Sequence, residues 1–310
     1  MPLEFPGAMV ERYSKLTKWN KLRERLLVPS RKSIRVNTLK NDVDEVFDEL
    51  APDWNLAPVP WCPEGFWISD KKGERKDIGN IPLHQTGGFY IQEAASMIPA
   101  IVLDPKPYEM ILDICASPGG KTMQIAQYMN NTGRIVANDI REDRVAILER
   151  SIERMGAKNC EVTMKPGQQF KDMRFDRILV DAPCSGTGTM RGCPDDIKNW
   201  NPDVSKRISY TQKSLLHHAY CVLKKGGVMV YSTCSMEPEE NEGVVDWLLK
   251  RHKKTELETA GIRGLKTSPP AMEFEGEKYD ERVSLCLRIW PQDNDTDGFF
   301  VAKIKKPRKG

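Results

Sequence analysis

The stretch ILDICASPGGKT, residues 111–122, decides the fold. Ile111 to Cys115 is a short apolar run suited to a buried strand, and Lys121 to Met129 reads as a helix. Between them, Gly119 and Gly120 let the backbone approach a ligand at a helix start, where unpaired N–H groups attract acceptors. Two nucleotide-binding motifs fail here. A P-loop requires glycine five places before Gly120, where Cys115 stands, and Pro118 breaks any GxGxxG pattern. What remains is a loop that presents backbone to a small ligand without a phosphate cradle.

The same rhythm continues toward the carboxyl end. Arg134–Ala137 reads as a strand, Glu142–Met155 as a helix, Cys160–Met164 and Arg177–Asp181 as strands, and Val204–Leu223 as a helix. Strand Val228–Tyr231 and helix Asn241–Arg251 follow, and Ser284–Ile289 and Phe299–Ile304 stand close enough to pair antiparallel. Such alternation predicts an α/β fold, a doubly wound and mainly parallel Rossmann-like sheet that binds ligands beyond its strands' carboxyl ends. Toward the amino end, Gln92–Leu103 reads as a helix. Met9–Val28 reads as one helix, Ser33–Leu39 as a strand and Asp42–Leu50 as a helix, before a proline- and tryptophan-rich run and a short strand at Phe66-Trp67-Ile68. The division expected is a small basic α+β module, 1–84, and a catalytic domain, 85–310.

Composition narrows the classes. A chain of 310 residues can hold one large and one small domain. Met1 to Gly7 leads into charged residues rather than a secretory apolar run, and no stretch approaches a membrane span. The eight cysteines form no CxxC pair, and the adjacent His217 and His218 diverge by about 100° on a helix, so no metal is expected. Reduced cysteines suit a cytoplasmic enzyme. The net charge of +3 conceals +7 over Met1–Lys40, +5 over Val301–Gly310 and −9 between them. Basic ends around an acidic middle fit a surface that tracks a polyanion, although a solvated helix and a frayed tail would read alike.

Three strand ends carry the chemistry. Asp139 closes the second core strand twenty residues after Gly119, where a carboxylate bonds ribose hydroxyls. An adenosine-containing ligand without a phosphate contact suggests S-adenosylmethionine. The fourth strand runs into Asp181-Ala-Pro-Cys184 and the fifth into Ser232-Thr-Cys234. Either cysteine alone reads as a small buried hydrophobe, but two at neighbouring strand tips point to catalysis. Carbon 5 of a pyrimidine is a poor nucleophile, and a thiolate adding to carbon 6 makes it enamine-like. Methylation at an amino group needs no thiol. Asp181 could hold the base edge, as a protonated acid in an apolar pocket, or could simply cap its strand.

RVNTLK (35–40), QTGGFYIQEAASM (85–97), DICASPGGKT, ANDI, FDRILVDAPCSGTG, YSTCS with PEENE, and TDGFFVAKIKK occur in one fixed order. In these motifs the chain resembles the Sun-domain family of RNA (cytosine-5) methyltransferases, from about Arg35 to Lys306. The resemblance implies a class I methyltransferase fold. It also implies a cofactor loop over Cys115, Ala116, Ser117, Pro118, Gly119, Gly120 and Lys121, a ribose acid at Asp139 and a nearby Arg144. The nucleophile would be Cys234, Cys184 would help release product, and Asp181 would hold the base beside the cofactor. Ser117 departs mildly from the family's alanine. Pro166 stands where an aspartate beside the adenine is expected, leaving Gln168 as a substitute amide. The implied partner is transfer or ribosomal RNA, met by a monomer, with the target base unpaired or flipped. Trp19, Trp61 and Trp67 are candidates for stacking on bases. The small module resembles a truncated RNA-recognition fold without its aromatic motif. Two other readings stay open: an RNA-binding assembly factor that has lost catalysis, and a DNA cytosine-5 methyltransferase.

Overall fold

A computed structural model describes residues 4–73 and 77–308. The start of the amino-terminal segment and Lys309 of the basic tail lie outside the described residues. Two helices come first, α1 (Gly7–Leu16) and α2 (Trp19–Leu26), followed by β1 (Ser33–Val36), α3 (Val43–Leu50), β2 (Trp54–Val59), β3 (Cys62–Asp70), α4 (Pro82–Gln85) and β4 (Phe89–Ile91). The four strands make one antiparallel sheet in the order β2-β3-β1-β4. Its last strand therefore comes from beyond His84. Asp42 starts α3 by accepting a hydrogen bond from the Asp44 N–H at 2.9 Å.

The segment expected as one helix over Met9–Val28 is broken. Thr17 is fully extended, and its hydroxyl accepts from Gln292 Nε2 at 2.8 Å. The break lets two short helices follow a curved surface: Met9, Tyr13, Leu22 and Leu26 are buried against Met190, Ile197, Met236 and Trp290. Each such side chain contributes about 1.5–3 kcal/mol on burial. These helices are thus packed on the catalytic domain rather than on the small sheet. Gln92–Leu103 also departs from a single helix. The Glu93 carboxylate accepts from the N–H groups of Ala95 and Ser96, and a regular helix, α5 (Ile98–Leu103), begins only with Pro99 in its first turn.

The larger sheet follows the sequence rhythm closely. Its elements are β5 (Met110–Asp113), α6 (Gly120–Tyr128), β6 (Arg134–Asn138), α7 (Glu142–Met155), β7 (Cys160–Thr163), β8 (Phe175–Asp181), α8 (Pro194–Lys198), α9 (Pro202–Val222), β9 (Leu223–Thr233) and α10 (Glu242–Arg251). After β10 (Glu256–Glu258), a small hairpin of β11 (Glu273–Phe274) and β12 (Glu277–Lys278) precedes β13 (Leu287–Ile289), α11 (Pro291–Asn294) and β14 (Phe299–Lys305). The main path is β10-β14-β9-β8-β5-β6-β7, with β13 also on β14. Strands β5 to β9 of this sheet pair in parallel, whereas β14 runs antiparallel to β9. The order reverses between β5 and β8, and a crevice opens at their carboxyl ends. Among the described residues no helix is long and apolar enough to cross a membrane.

Candidate active site at the carboxyl ends of the parallel strands

Asp113, the last residue of β5, is 1% exposed. Its Oδ2 accepts from the Thr122 hydroxyl at 2.7 Å, while Oδ1 has no hydrogen-bond partner. Burial pushes this carboxyl up to about 7, and the charge of Asp181 adds to it against the Thr122 bond. Gly119 follows with φ of +110°, a conformation open to glycine, and starts α6. A side chain there would also press within 3.2 Å of Leu148 and Ser151. Ala116 N–H bonds Asn138 O at 2.7 Å, which ties the loop to the tip of β6. The Ser117 hydroxyl donates to Arg144 O at 2.8 Å, and the Arg144 guanidinium donates to Ser117 O.

Asp139 is buried just past β6. Its Oδ1 accepts from Arg141 N–H at 3.2 Å, and its Oδ2 lies 3.3 Å from Arg144 Nε but takes part in no hydrogen bond. Asn138 anchors the facing loop, accepting from Lys165 N–H at 3.1 Å and donating to Lys165 O at 3.0 Å. This brings Pro166, Gly167 and Gln168 onto the wall of a cleft of about 840 Å³ that also includes Asp139, Arg144, Asp181, Cys184 and Cys234. A smaller hollow of about 220 Å³, lined by Asp113, Ala116, Pro118, Gly120 and Lys121, shares Cys115, Ser117 and Asp181 with it.

The chemistry end is compact. Strands β8 and β9 are in register at Asp181 and Ser232, so the loops beyond them lie side by side. The sulfurs of Cys184 and Cys234 are 3.1 Å apart. The apolar pocket expected around Asp181 is absent: Oδ2 accepts from the Lys121 ammonium at 2.7 Å and Oδ1 from the Ser232 hydroxyl at 2.7 Å. Burial opposes the charge on Lys121, but Asp181 outweighs it and holds the ammonium above its ordinary pKa. The thiol of Cys184 is raised well above its usual range by its bond to Cys234 and by burial. Cys115 is likewise held as a thiol, chiefly by burial, which suits a wall of the cleft rather than a reactive group. The two adjoining hollows thus bring together Cys115, Ala116, Ser117, Pro118, Gly120 and Lys121 of the cofactor loop with Asp139, Arg144, Asp181, Cys184 and Cys234, while Gly119 faces Leu148 and Ser151. Lys121 was singled out for the cofactor loop but not as the partner of Asp181, and Ser232, together with Ser96, whose hydroxyl accepts from Lys121 at 2.9 Å, was missed. No local signal announces a pair sixty positions apart.

The tryptophans and part of the basic ends have partners within the protein. Trp61 is a core residue, with its indole N–H bonded to Ala94 O at 2.9 Å. Trp19 packs edge-on to Phe5, and one face of Trp67 carries the Arg31 guanidinium at 4.1 Å. Part of the basic ends is turned inward, while Lys18, Lys21, Arg23, Arg31, Lys32 and Lys40 stay exposed. Arg12 is ion-paired with Glu237, Glu239 and Glu275, and Arg25 with Asp295. Buried Arg35 bonds Gln92 and Gly120 O. In the tail, Lys303 and Lys305 pair with Glu258, and Lys306 donates to the carbonyls of Tyr220 and Leu223. His217 meets His252 at 2.9 Å, while His218 faces Ser214 O. Among the described residues no group of three or more His, Cys, Asp or Glu is arranged to hold a metal ion.

Comparison with known proteins agrees with this geometry. Residues 100–305 match the family described as 16S rRNA methyltransferase RsmB/F, and residues 1–94 match the N-terminal domain of 16S rRNA methyltransferase RsmF. The tRNA (cytosine(49)-C(5))-methyltransferase of Pyrococcus abyssi is 46% identical over 304 residues, covering 97% of this chain and 96% of that protein. Ribosomal RNA small subunit methyltransferase F of Cronobacter sakazakii is 42% identical over 284 residues, which cover 90% of this chain but 57% of the relative. A crystal structure of a methyltransferase homologue from Pyrococcus horikoshii superimposes with a TM-score of 0.83 at 34% identity, over 97% of this chain and 99% of the other. NSun6 from the same organism, solved with SFG, gives 0.84 at 26% identity with both chains fully covered. With its motifs in order and its thiols paired at the tips of β8 and β9, the chain belongs to the RsmB/F (Sun-domain) family of RNA cytosine-5 methyltransferases.

Proposed function

We propose that this chain methylates carbon 5 of a cytosine in transfer RNA, using S-adenosylmethionine and the Cys234 thiolate. The observation that carries the proposal is the pair of thiols 3.1 Å apart at adjacent strand tips beside Asp181. The buried Oδ1 of Asp113 and Oδ2 of Asp139, neither of which has a hydrogen-bond partner, fit a ligand that offers an ammonium group and ribose hydroxyls. SFG, an analogue of S-adenosylmethionine, accompanies a relative of the same fold. The Cys115–Lys121 loop, Asp139 and Arg144 would hold that cofactor, and Gln168 would offer its amide to the adenine where Pro166 has none. When bound, it supplies the electrophilic methyl group.

The residues divide the remaining work. Cys234, at the position of the family's Thr-Cys nucleophile, attacks carbon 6, with the Cys184 sulfur 3.1 Å away. Electron density then reaches carbon 5, which takes the methyl group. Asp181, fixed by Lys121 and Ser232, holds the base edge by accepting from the exocyclic amine. The carbon-5 proton passes to a solvent water, its bonding pair re-forms the double bond between carbons 5 and 6, and the carbon–sulfur bond breaks to release Cys234 as thiolate, with Cys184 assisting that step. Transfer RNA is favoured over ribosomal RNA because the tRNA (cytosine(49)-C(5))-methyltransferase matches along nearly its whole length, whereas the ribosomal relative extends well beyond the match. The position named for that relative is the first to examine, and a monomer working in the cytoplasm suffices for the reaction.

The test separates the thiols. Cys234→Ala should lower methyl transfer by about 10⁴-fold or more and form no covalent adduct with RNA. Cys184→Ala should still attack but release poorly, leaving a protein–RNA adduct on a denaturing gel. The reverse pattern would make Cys184 the nucleophile, as in DNA-type enzymes. Bisulfite sequencing of transfer and ribosomal RNA from a deletion strain identifies the substrate.

A further inference from the structure

A buried carboxylate stands directly beneath the two thiol loops. Glu240, in the PEENE run, is 0% exposed. Its Oε2 accepts from the Ser185 N–H at 2.9 Å and from Gln212 Nε2 at 2.9 Å. Its Oε1 accepts from the Ser235 hydroxyl at 2.8 Å and from the Ser185 hydroxyl. Ser185 follows Cys184 and Ser235 follows Cys234, so one side chain is bonded to the neighbour of each thiol. The backbone reinforces the link: Tyr231, three residues before Cys234, donates its hydroxyl to Glu240 O at 2.5 Å, and Gln212 also reaches Pro183 O at 2.9 Å.

The composition of this contact is unusual. Among the described residues no lysine or arginine lies within ion-pair distance of Glu240, although neighbouring Glu237 and Glu242 are paired with Arg12 and Arg288. A buried carboxylate without a cation is costly, and four hydrogen-bond donors on two loops and a helix are what offset it. Only the arrangement with both loops in place supplies all four. Displacement of either loop would leave the charge short of donors, so the carboxylate ties the position of one loop to that of the other.

We propose that Glu240 is a positioning residue that couples the Cys184 and Cys234 loops and thereby sets the sulfur–sulfur approach on which attack and release depend. The proposal rests on the two-thiol mechanism above. The contact between the two sulfurs requires that approach, and the negative charge of Glu240 adds to that contact and to burial in raising the Cys184 thiol. Glutamine at this position keeps the volume but offers a single acceptor oxygen, and its NH₂ group would face other donors.

The experiment compares Glu240→Gln, Ser185→Ala, Ser235→Ala and Cys234→Ala in the full chain, with tritium release from 5-tritiated cytosine RNA and trapping on 5-fluorocytosine RNA. Glu240→Gln should lower kcat at least thirtyfold with KM for RNA within threefold of the parent and a melting midpoint that still reports a folded protein. The trapped adduct should form correspondingly slowly. If Glu240→Gln fails to fold, the two serine variants decide: each removes one arm and should lower kcat five- to tenfold at unchanged KM. A kcat within threefold of the parent in Glu240→Gln, or in both serine variants where the glutamine protein cannot be made, overturns the proposal. So does a loss that tracks only the melting midpoint. Residual activity in Cys234→Ala would instead overturn the assignment of the nucleophile, a separate result read from a separate protein.

Discussion

Around the cleft, Asp113 Oδ1 and Asp139 Oδ2 are buried acceptors without a hydrogen-bond partner, whereas in the chain's two basic segments Arg12, Arg25, Arg35, Lys303, Lys305 and Lys306 are bonded to groups of the protein itself. The sequence points to both regions, but it shows neither the open oxygens of the first nor the internal pairing of the second. A run of like charges records how many cations a segment carries, not how many remain for a partner. A buried polar atom left open is rarer and more informative, because burying it unpaired costs on the order of 1–3 kcal/mol. The basic groups that remain exposed, among them Lys18, Lys21, Arg23, Arg31 and Lys32, gather on and just after α2.

The largest test of this contrast is at the amino terminus. Arg12→Ala leaves buried Glu237 without its cation, a change that costs about 3–5 kcal/mol. A thermal melt should move down by roughly ten degrees, at about 2–4 °C per kcal/mol. If the melt is unchanged and RNA affinity falls instead, α1 is an RNA contact and the contrast breaks. The cleft comes next. Asp139→Ala should weaken cofactor binding by about 1.5–3 kcal/mol and leave RNA affinity alone, measured by calorimetry on each ligand. Equal affinity in the variant would remove Asp139 from the site.

Asp113 sharpens the comparison through pH. Its folded pKa of about 7 lies above the ordinary 3.8, so the fold favours the protonated form. That stabilising contribution is present below about pH 4 and is lost as pH rises toward 7, above which the fold carries a charge that burial disfavours. Asp113→Asn should therefore melt a few degrees higher than the parent at pH 8, and the difference should vanish near pH 4. A gap that persists at pH 4 would point to packing rather than charge. The smallest effect is expected in the salt dependence of RNA binding. Lys21→Ala should flatten the slope of log K against log salt by about 0.7 if it meets a phosphate, while Lys305→Ala, already paired with Glu258, should leave the slope unchanged.

These regions also differ in how far the sequence could be read. Helix α7 was legible to its ends, because Glu142–Met155 is flanked by a strand on either side and stopped by Gly156 in a left-handed conformation. Cys184, Cys234 and Asp181 were legible because their strand tips are fixed by the sheet's period. The break at Thr17 was not, since it answers to Gln292, 275 residues away. The Lys121–Asp181 pair and the reach of Glu240 were hidden likewise: both are set by strand register and loop packing, which no local pattern encodes. PEENE could be quoted as a motif but given no task until the two serines were seen against it.

Strand β14 has a consequence for how the enzyme comes into being. It lies between β9 and β10, antiparallel to β9 from Phe300 opposite Thr233 to Lys305 opposite Val228, and Gly298 N–H just before it bonds Gly188 O. Asp297 N–H reaches Glu93 Oε1 at 3.2 Å. The ribosome makes β9 long before β14, so for that interval an apolar strand that ends beside Cys234 has an unpaired edge, the kind of surface that recruits other chains. Cofactor-loop residues exist early, but the cysteine loops lack their last supports until this strand arrives. Methylation by a nascent chain should therefore wait on Phe299–Lys305, and truncations that stop short of it should yield aggregated rather than merely slow enzyme.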